Sequence, residues 1–282
     1  MMKYIITPKQ YKLLKEEEQE ILHIPSVDLF GGWNNLQKFL KSRGYPPYSI
    51  GGDLDLRDKR IKSLGNLTSV SGDLILTNTP IKSLGNLTSV GGNLYLEETS
   101  IESIGNLTSV GENFYLENTS IESLGNLESV GGLLDLEHVP IKSLGNLKWV
   151  GGWLHLRDTL VKSLGNLKSV GGYLNLENTP IESLGNLESV GGYLDLEKTP
   201  IESLGNLISV GGFLHLFNTP IKSLGNLISV GQSLNLSGTQ IESLGNLESV
   251  GGYLSLRNTP IAKKYTEEQI RRLVSVKSDI HL

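Results

Sequence analysis

The chain has 282 residues, and 38% of them are hydrophobic, so it can fold around a core and is not a disordered tail. Its 30 acidic and 25 basic side chains give a formal charge of −5, which argues against a general affinity for nucleic acid or anionic lipid. Because the chain contains no cysteine, disulfides, thiolate metal sites and a cysteine nucleophile are excluded.

The beginning of the chain lacks the repeat that organises the rest, and we predict that residues 1–50 form an N-terminal α/β cap. Residues 3–6 have the composition of a short strand. Thr7 followed by Pro8 is typical of the start of a helix, which we expect to run to about Leu22. A solenoid needs such a cap because its end turns would otherwise expose apolar surface.

The same cap contains a second predicted helix, over about residues 34–43. We expect Gly44 to end it, because glycine readily adopts the conformation that follows the last turn of a helix. Its apolar side chains are expected to cover the first turn of the repeats: Trp33, Leu36, Phe39 and Leu40.

From Gly51 through Val250 the chain repeats every twenty residues, ten times, without an insertion or deletion. Most turns open with GGxLxL and close with IxSLGNLxSV. A partial eleventh turn begins at Gly251 and departs from the pattern after Ile261. Such a fixed period is typical of a solenoid, whose units stack on their neighbours. We therefore predict one solenoid domain over residues 51–262.

Six positions in each turn are predicted to form the core. With position 1 at residues 51, 71, 91 and so on, positions 4, 6, 11, 14, 17 and 20 are almost always aliphatic. The leucines at positions 4 and 6 alternate with variable residues at 3, 5 and 7, which is typical of a half-buried strand. One such parallel strand in each turn predicts a mainly β fold.

The other constant positions are also predicted to be structural. The glycines at positions 1 and 2 permit either a positive φ or a close approach of two backbones, and Gly-Asn at positions 15 and 16 indicates a second corner. The threonine at position 9 is expected to be buried and to hydrogen-bond the backbone of the neighbouring turn. The serine at position 13 is expected to act in the same way.

The repeat has the spacing LxLxxTxIxSL, which resembles the leucine-rich repeat LxxLxLxxNxLxxL. One turn shows it at Leu174, Leu176, Thr179, Ile181 and Leu184. The likeness covers about 200 residues. The short repeat length is similar to bacterial and phage forms, and SVGGxLxL has a looser likeness to the receptor L domain. Threonine stands where that family has asparagine, and a glycine pair where it has leucine. The resemblance implies a right-handed solenoid; it carries no ubiquitin-ligase activity, because the cysteine of the ligases is missing.

After the repeats, residues 263–282 are predicted to form a C-terminal helical cap. Thr266 and Gln269, three residues later, fit the capping-box motif, which predicts a helix to about Val274.

The positions that vary most, 3, 5, 7 and 8, lie on the exposed side of the predicted strands. At position 3, five consecutive turns present apolar, mostly aromatic side chains: Leu133, Trp153, Tyr173, Tyr193 and Phe213. A contiguous exposed stripe of this kind marks a contact site. The alternatives are ladder stacking that stabilises the sheet and burial under a terminal segment. We predict a partner-binding surface that also includes Tyr95, Tyr115, His155, His215 and Phe217.

Position 5 places Asp135 beside His155 and Asp195 beside His215, on either side of Asn175. Each pair could ligate a metal, act as acid and base, or hydrogen-bond at the rim of an interface. Since a flat sheet implies no third ligand, nucleophile or pocket, we predict no metal site, no catalytic residue and no cofactor. Glutamates at position 7 make this side acidic, which predicts a partner with a basic surface.

On the return side of the turns, four lysines form the only basic cluster: Lys142, Lys148, Lys162 and Lys168. Trp149 lies beside them in place of a serine. The cluster could meet an acidic partner or phosphate, and we predict that it is a solvated rim.

Together these features predict a non-enzymatic scaffold that binds a protein through its exposed strands. One alternative is an assembly component, for instance of a phage virion, in which the solenoid is a spacer; another is a carbohydrate-binding module. No apolar run suits a membrane helix or a signal peptide. We therefore expect no membrane contact and a cytoplasmic location, or the host cytoplasm or virion if the protein is phage-encoded.

Overall fold

Residues twenty apart in the sequence lie side by side in the computed structural model, which describes residues 21–282. Leu154 is paired in parallel with Leu174, and Leu174 with Leu194, without a shift in register. A column in the repeat is therefore a column in space. The predicted mainly β, parallel solenoid with turns of about twenty residues is confirmed.

Each turn contains two short parallel strands, and they build two sheets. Positions 4 and 5 form a 12-stranded sheet, here called the face sheet. Its strands are Leu54–Asp55, Leu74–Ile75, Leu94–Tyr95, Phe114–Tyr115, Leu134–Asp135, Leu154–His155, Leu174–Asn175, Leu194–Asp195, Leu214–His215, Leu234–Asn235, Leu254–Ser255 and Ile280–His281.

Positions 19 and 20 form a 13-stranded sheet, here called the back sheet. Its strands are Leu22–Ile24, Tyr48–Ile50, Leu67–Val70, Ser89–Val90, Ser109–Val110, Ser129–Val130, Trp149–Val150, Ser169–Val170, Ser189–Val190, Ser209–Val210, Ser229–Val230, Ser249–Val250 and Ser275–Val276. The sequence pattern predicts only one strand in each turn, because a two-residue Ser-Val strand is too short to show an alternating pattern.

The core is a stack of six apolar columns between the two sheets. The side chains at positions 4, 6, 11, 14, 17 and 20 are buried throughout the solenoid, apart from Ile61, which is partly buried in the first turn. Phe114 replaces leucine at position 4 of one turn and is fully buried as well. Because every turn buries its apolar side chains against its neighbours, stability is shared along the stack.

The corners use glycine in two different ways. At position 1 the backbones of adjacent turns approach closely, so that a Cβ on Gly191 would lie 2.1 Å from the carbonyl oxygen of Gly171. At position 15 the chain needs the left-handed conformation, and Gly185 has a φ of 59°. Position 8 is also left-handed, with a φ of 57° at Asn178. The second corner is confirmed, and close approach is the role of the opening glycine.

The hydrogen-bond partners predicted for the threonine at position 9 and the serine at position 13 are wrong. Thr179 is buried, but its Oγ1 donates to the carbonyl of Leu176 in its own turn, at 2.7 Å. Ser183 is exposed, and its Oγ accepts the N–H of Gly185 at 3.0 Å. Neither hydroxyl is needed between turns, because backbone groups already bond there, for instance Asn178 N–H to the Glu197 carbonyl.

The described part of the N-terminal cap extends the back sheet. A strand at Leu22–Ile24 pairs with Tyr48–Ile50, and the 3-10 helix Val27–Phe30 follows the first of them. The strand predicted at residues 3–6 and the start of the first predicted helix lie outside the described residues. The predicted end of that helix at Leu22 is wrong, because parallel pairing places this residue in a strand.

The second predicted helix of the cap is confirmed, at Trp33–Ser42. Gly44 follows it with a φ of 77°. Trp33, Leu36 and Leu40 are buried against the solenoid, and Phe39 is partly buried. The helix thus covers the apolar end of the stack.

The C-terminal cap contains the helices Pro260–Lys264 and Glu267–Leu273. The predicted capping box is confirmed, because the side chain of Thr266 accepts the N–H of Gln269 and the side chain of Gln269 accepts the N–H of Thr266. The cap also adds the last strand to each sheet, at Ser275–Val276 and Ile280–His281. No helix within residues 21–282 is both long enough and apolar enough to cross a membrane.

Candidate functional site

The surface formed by positions 3, 5 and 7 of successive turns is here called the strand face. Its side chains point outward because the intervening leucines at positions 4 and 6 are buried. Position 8 contributes less freely to this surface, since its backbone must be left-handed in every turn. Asparagine and aspartate are common there because they tolerate that conformation best after glycine.

Four aromatic side chains at position 3 form a continuous row, here called the aromatic ladder: Trp153, Tyr173, Tyr193 and Phe213. The ring centroids of Trp153 and Tyr173 are 6.5 Å apart, those of Tyr173 and Tyr193 are 4.9 Å apart, and those of Tyr193 and Phe213 are 6.0 Å apart. Trp153 is 55% exposed and Phe213 41%. The rings therefore contact one another edge-on or at a tilt. The two end rings are exposed, Tyr173 and Tyr193 between them are half-buried, and no described segment covers the row.

The histidines predicted at position 5 lie beside this ladder. The ring of His155 is 6.0 Å from that of Trp153 and 5.9 Å from that of Tyr173. The ring of His215 is 6.5 Å from that of Tyr193 and 6.4 Å from that of Phe217. Seven predicted residues thus form one ring-lined surface, and Leu133 continues the column at its N-terminal end, half-buried.

Tyr95 and Tyr115 form a separate group. Their rings stack at 5.1 Å, but they occupy position 5 and not position 3. Asp135 follows Tyr115 in that column and interrupts the aromatic run before the ladder begins. The structure therefore divides the predicted binding residues into two sets.

A recess of about 150 Å³ lies at the C-terminal end of the aromatic ladder. It exists because Ser233, a small buried residue, replaces the aromatic side chain between Phe213 and Tyr253. Its walls include Tyr193 and His215. This recess was not predicted from the sequence, although one small residue in an aromatic column was the sign of it.

The two Asp–His neighbours are placed together as predicted, but their surroundings differ. Asp135 Oδ2 lies 3.8 Å from His155 Nδ1, and Asp195 Oδ1 lies 3.7 Å from His215 Nδ1. Burial alone would raise the pKa of Asp135, but the nearby imidazole holds it below its usual value, and the carboxylate raises the pKa of His155. The pKa of Asp195 is raised, because burial outweighs its favourable contacts.

A second carboxylate lies beside each of these pairs and gives it a third possible ligand, which was not predicted from the sequence. Glu137 joins Asp135 and His155, and Glu197 joins the pair of Asp195 and His215. The glutamate at position 7 and the aspartate at position 5 are on the same side of the strand, so the alternation of the strand was the sign that could have shown it.

Charges at positions 7 and 8 partly neutralise one another. The Arg157 guanidinium is 3.5 Å from Asp158, 3.6 Å from Glu177 and 3.9 Å from Glu137. Lys198 pairs with Glu177 at 2.7 Å and thereby lowers the pKa of that carboxyl. Burial raises the pKa of the neighbouring Tyr173 to about 12, so its hydroxyl stays protonated. The positions beside the aromatic ladder, here called the margin of the strand face, therefore remain acidic overall.

The basic cluster on the return side is largely paired. Lys142, Lys148 and Lys162 form ion pairs with glutamates of adjacent turns, at 2.7, 2.9 and 3.3 Å. Trp149 is 44% exposed at the end of a shallow groove along the back sheet, which is otherwise lined by small residues and valines. Exposed lysines that already pair with glutamates fit the predicted solvated rim.

Once the scaffold positions are set aside, the strand face retains three unusual features: the aromatic ladder, the recess at Ser233 and the carboxylate–imidazole groups. No protein-family model matches this sequence, and no curated protein matches it either. The candidate site is therefore defined by its own geometry, as an open aromatic surface with an acidic margin on a rigid parallel sheet.

Proposed function

We propose that this protein is a non-enzymatic binding module, a leucine-rich-repeat-like solenoid that holds a protein partner against its aromatic ladder. The observation that supports this most is a contiguous row of rings on the outer side of the face sheet, exposed at both of its ends. Tyrosine and tryptophan dominate the energetic centres of protein interfaces, because they bury a large area with few rotatable bonds.

The size of the recess at Ser233 favours a macromolecular partner. Ligand pockets in proteins usually enclose about 300–1,000 Å³, whereas this recess holds about 150 Å³. It can accept one side chain of a partner, and it is too small to enclose a typical free ligand. A side chain inserted there would stack between Phe213 and Tyr253 and complete the column.

The charge of the margin supports a basic surface on that partner. Within residues 131–220, the carboxylates at positions 5, 7 and 8 outnumber the two lysine or arginine side chains at those positions, Arg157 and Lys198. A basic partner would be attracted to this side and oriented by it, while the rings supply most of the contact energy.

The test is affinity capture of the partner from an extract of the source cells, comparing the unaltered chain with the Trp153→Ala/Phe213→Ala double variant. These are the exposed ends of the ladder, so we expect capture to be lost while the circular-dichroism spectrum stays that of the folded solenoid. A second variant, Ser233→Tyr, fills the recess and should also weaken capture.

Trp149→Ala is the matched control, because Trp149 is similarly exposed but lies on the back sheet. We expect this variant to capture the partner normally. Retention of the partner by the folded double variant would refute the proposal, and equal loss with Trp149→Ala would indicate nonspecific apolar adhesion.

A carbohydrate is the second candidate, since the recess combines two ring walls with the polar side chains of His215 and Asn235. Such a mixture of apolar faces and a few polar groups suits a sugar ring. A glycan array probed with the unaltered chain and with Ser233→Tyr tests it. Binding that disappears with the variant supports the carbohydrate, and no binding to any glycan removes it.

A further inference from the structure

The strand face carries the same group of three side chains twice, sixty residues apart. In each group the aspartate at position 5 and the glutamate at position 7 of one turn meet the histidine at position 5 of the next: Asp135, Glu137 and His155, then Asp195, Glu197 and His215. Within each group, one donor atom from each side chain lies within 4.8 Å of the other two. The first group is here called the Arg157 trio and the second the Phe217 trio, after the side chain at position 7 beside the histidine.

The donor atoms of the Phe217 trio lie slightly farther apart than the ligands of one metal ion. His215 Nδ1 is 3.7 Å from Asp195 Oδ1 and 3.9 Å from Glu197 Oε2. These separations are too long for hydrogen bonds. Ligands about 2.0–2.2 Å from a four-coordinate Zn²⁺ are about 3.3 Å from one another, so small rotations of the side chains would bring the three atoms onto one ion.

The backbone already holds this trio in place. Asp195 and His215 are direct partners in the parallel face sheet, and Oδ1 of Asp195 accepts the N–H of Glu197 at 3.0 Å. The ring of His215 lies between those of Tyr193 and Phe217, and the Tyr193 hydroxyl is 3.3 Å from His215 Nδ1. A supported first layer of ligands is what a metal site needs, and the hydroxyl would have to turn aside or join the ion.

The carboxylate at the centre of this trio is poorly neutralised. Asp195 is only 9% exposed, and no described lysine or arginine lies within ion-pair distance of it. Lys198 is 3.7 Å from Glu197 but makes its shorter pair, 2.7 Å, with Glu177. Burying a carboxylate without a cation is costly, and a divalent ion would remove that cost.

The Arg157 trio differs in the burial of its aspartate. The Asp135 side chain is 32% exposed, against 12% for Asp195. Each trio has one cation near its glutamate, with Arg157 at 3.9 Å from Glu137 and Lys198 at 3.7 Å from Glu197. The two groups thus form a natural comparison in which the ligand types are shared and the burial of the central carboxylate is not.

We propose that Asp195, Glu197 and His215 form a binding site for one divalent transition-metal cation of the Zn²⁺ type, and that the more exposed Arg157 trio binds such an ion less tightly. Imidazole and carboxylate together suit such ions better than Mg²⁺ or Ca²⁺, which prefer oxygen ligands alone. Three protein ligands leave a coordination position open toward the strand face. This inference goes beyond the proposed partner binding and does not depend on it.

The experiment is calorimetric titration of the chelator-treated chain with ZnCl₂. We expect one site per chain, with affinity at least about tenfold weaker in Asp195→Asn and in His215→Ala. The isosteric Asp195→Asn keeps the oxygen that accepts the Glu197 N–H, so its fold should be preserved, and circular dichroism checks this. Visible absorption of a tetrahedral Co²⁺ complex gives an independent readout of the ligand geometry.

The matched controls act on the Arg157 trio. Asp135→Asn and His155→Ala should leave the Zn²⁺ titration of the Phe217 trio unchanged. No saturable binding, or binding that survives Asp195→Asn and His215→Ala in the folded chain, would overturn the proposal. Because no partner is needed, failure here is distinguishable from failure of partner binding.

Discussion

The two halves of the solenoid share one scaffold and exchange the roles of two surface columns. In residues 51–130, position 3 is polar: Asp53, Asp73, Asn93 and Asn113. Each of these side chains accepts the backbone N–H of the residue at position 3 of the next turn, for example Asn93 to Asp73 at 2.7 Å. In residues 131–220 the same position carries the aromatic ladder and its neighbour Leu133, which have no such acceptor.

Position 5 changes in the opposite direction. After Asp55 in the first turn, it holds apolar or aromatic side chains at Ile75, Tyr95 and Tyr115, and polar ones from Asp135 onward. Side chains that bond the adjacent backbone are committed to the scaffold, whereas rings that touch only one another remain available to a partner. The same variable column of a solenoid can therefore stabilise the scaffold in one half and be available for binding in the other.

The largest expected effect comes from disrupting the frame that both halves share. Gly191→Ala would place a Cβ 2.1 Å from the Gly171 carbonyl oxygen, so we expect the free energy of unfolding to fall by about 3 kcal/mol. Gly51→Ala is the control, because its Cβ would meet Pro25 at 3.3 Å. Urea denaturation measures both. Similar losses at the two positions would contradict the close-approach explanation.

Breaking the row of hydrogen bonds made by the polar side chains at position 3 in residues 51–130 should cost less stability. Asn113→Ala removes the acceptor of the Leu133 N–H and the donor to Asn93 Oδ1, which are bonds of 2.7 and 2.9 Å. We expect a loss of about 1–2 kcal/mol in the free energy of unfolding, because a half-buried N–H is left without its partner. Asn113→Asp, which keeps the acceptor, should retain more of the stability. An unchanged melting temperature for Asn113→Ala would show that these position-3 hydrogen bonds do not stabilise the fold.

Removing one exposed ring should cost less again. Trp153→Ala deletes a side chain that is 55% exposed, so we expect no more than about 1 kcal/mol of lost stability. Comparison of its melting temperature with that of Asn113→Ala directly compares the two halves. A larger loss for Trp153→Ala would favour ladder stacking as the purpose of the rings.

The smallest effect depends on pH and lies within the second half, at Asp135 and His155, with Glu137 and Arg157 close by. The pKa of His155 is raised above 6.5, so its contribution is complete below that pH and is lost as the pH rises through the folded value. The pKa of Asp135 is lowered below 3.8, so its contribution is present above that pH and is lost on acidification.

Between these limits Asp135→Asn should lower the free energy of unfolding by about 0.5 kcal/mol or less, since both groups are partly solvated. The loss should vanish at about pH 9, where the imidazole is neutral in both states. Urea denaturation at about pH 5.5 and about pH 9 tests this. A loss that is larger at the higher pH would show that the sign is wrong.

Several local features were predictable because they depend on neighbours in the chain. The helix at Trp33–Ser42 follows from its apolar spacing, and the capping box at Thr266 from a four-residue spelling. The back sheet was not predicted, because strands such as Ser189–Val190 show no alternation of their own. The bond from Thr179 to Leu176 was assigned to the wrong turn, since sequence alone does not distinguish neighbours three residues away from those twenty away.

The period of twenty and its six aliphatic columns determined the architecture of this protein by themselves, because identical turns can bury the same apolar side only by stacking in register. They also determined which columns face solvent. Only the tertiary structure decided what those columns build: it opened a recess at Ser233, and it brought Glu197 to Asp195 and His215. Such contacts depend on the direction of side chains across adjacent strands, to within about an ångström, and a pattern of residue types does not carry that information.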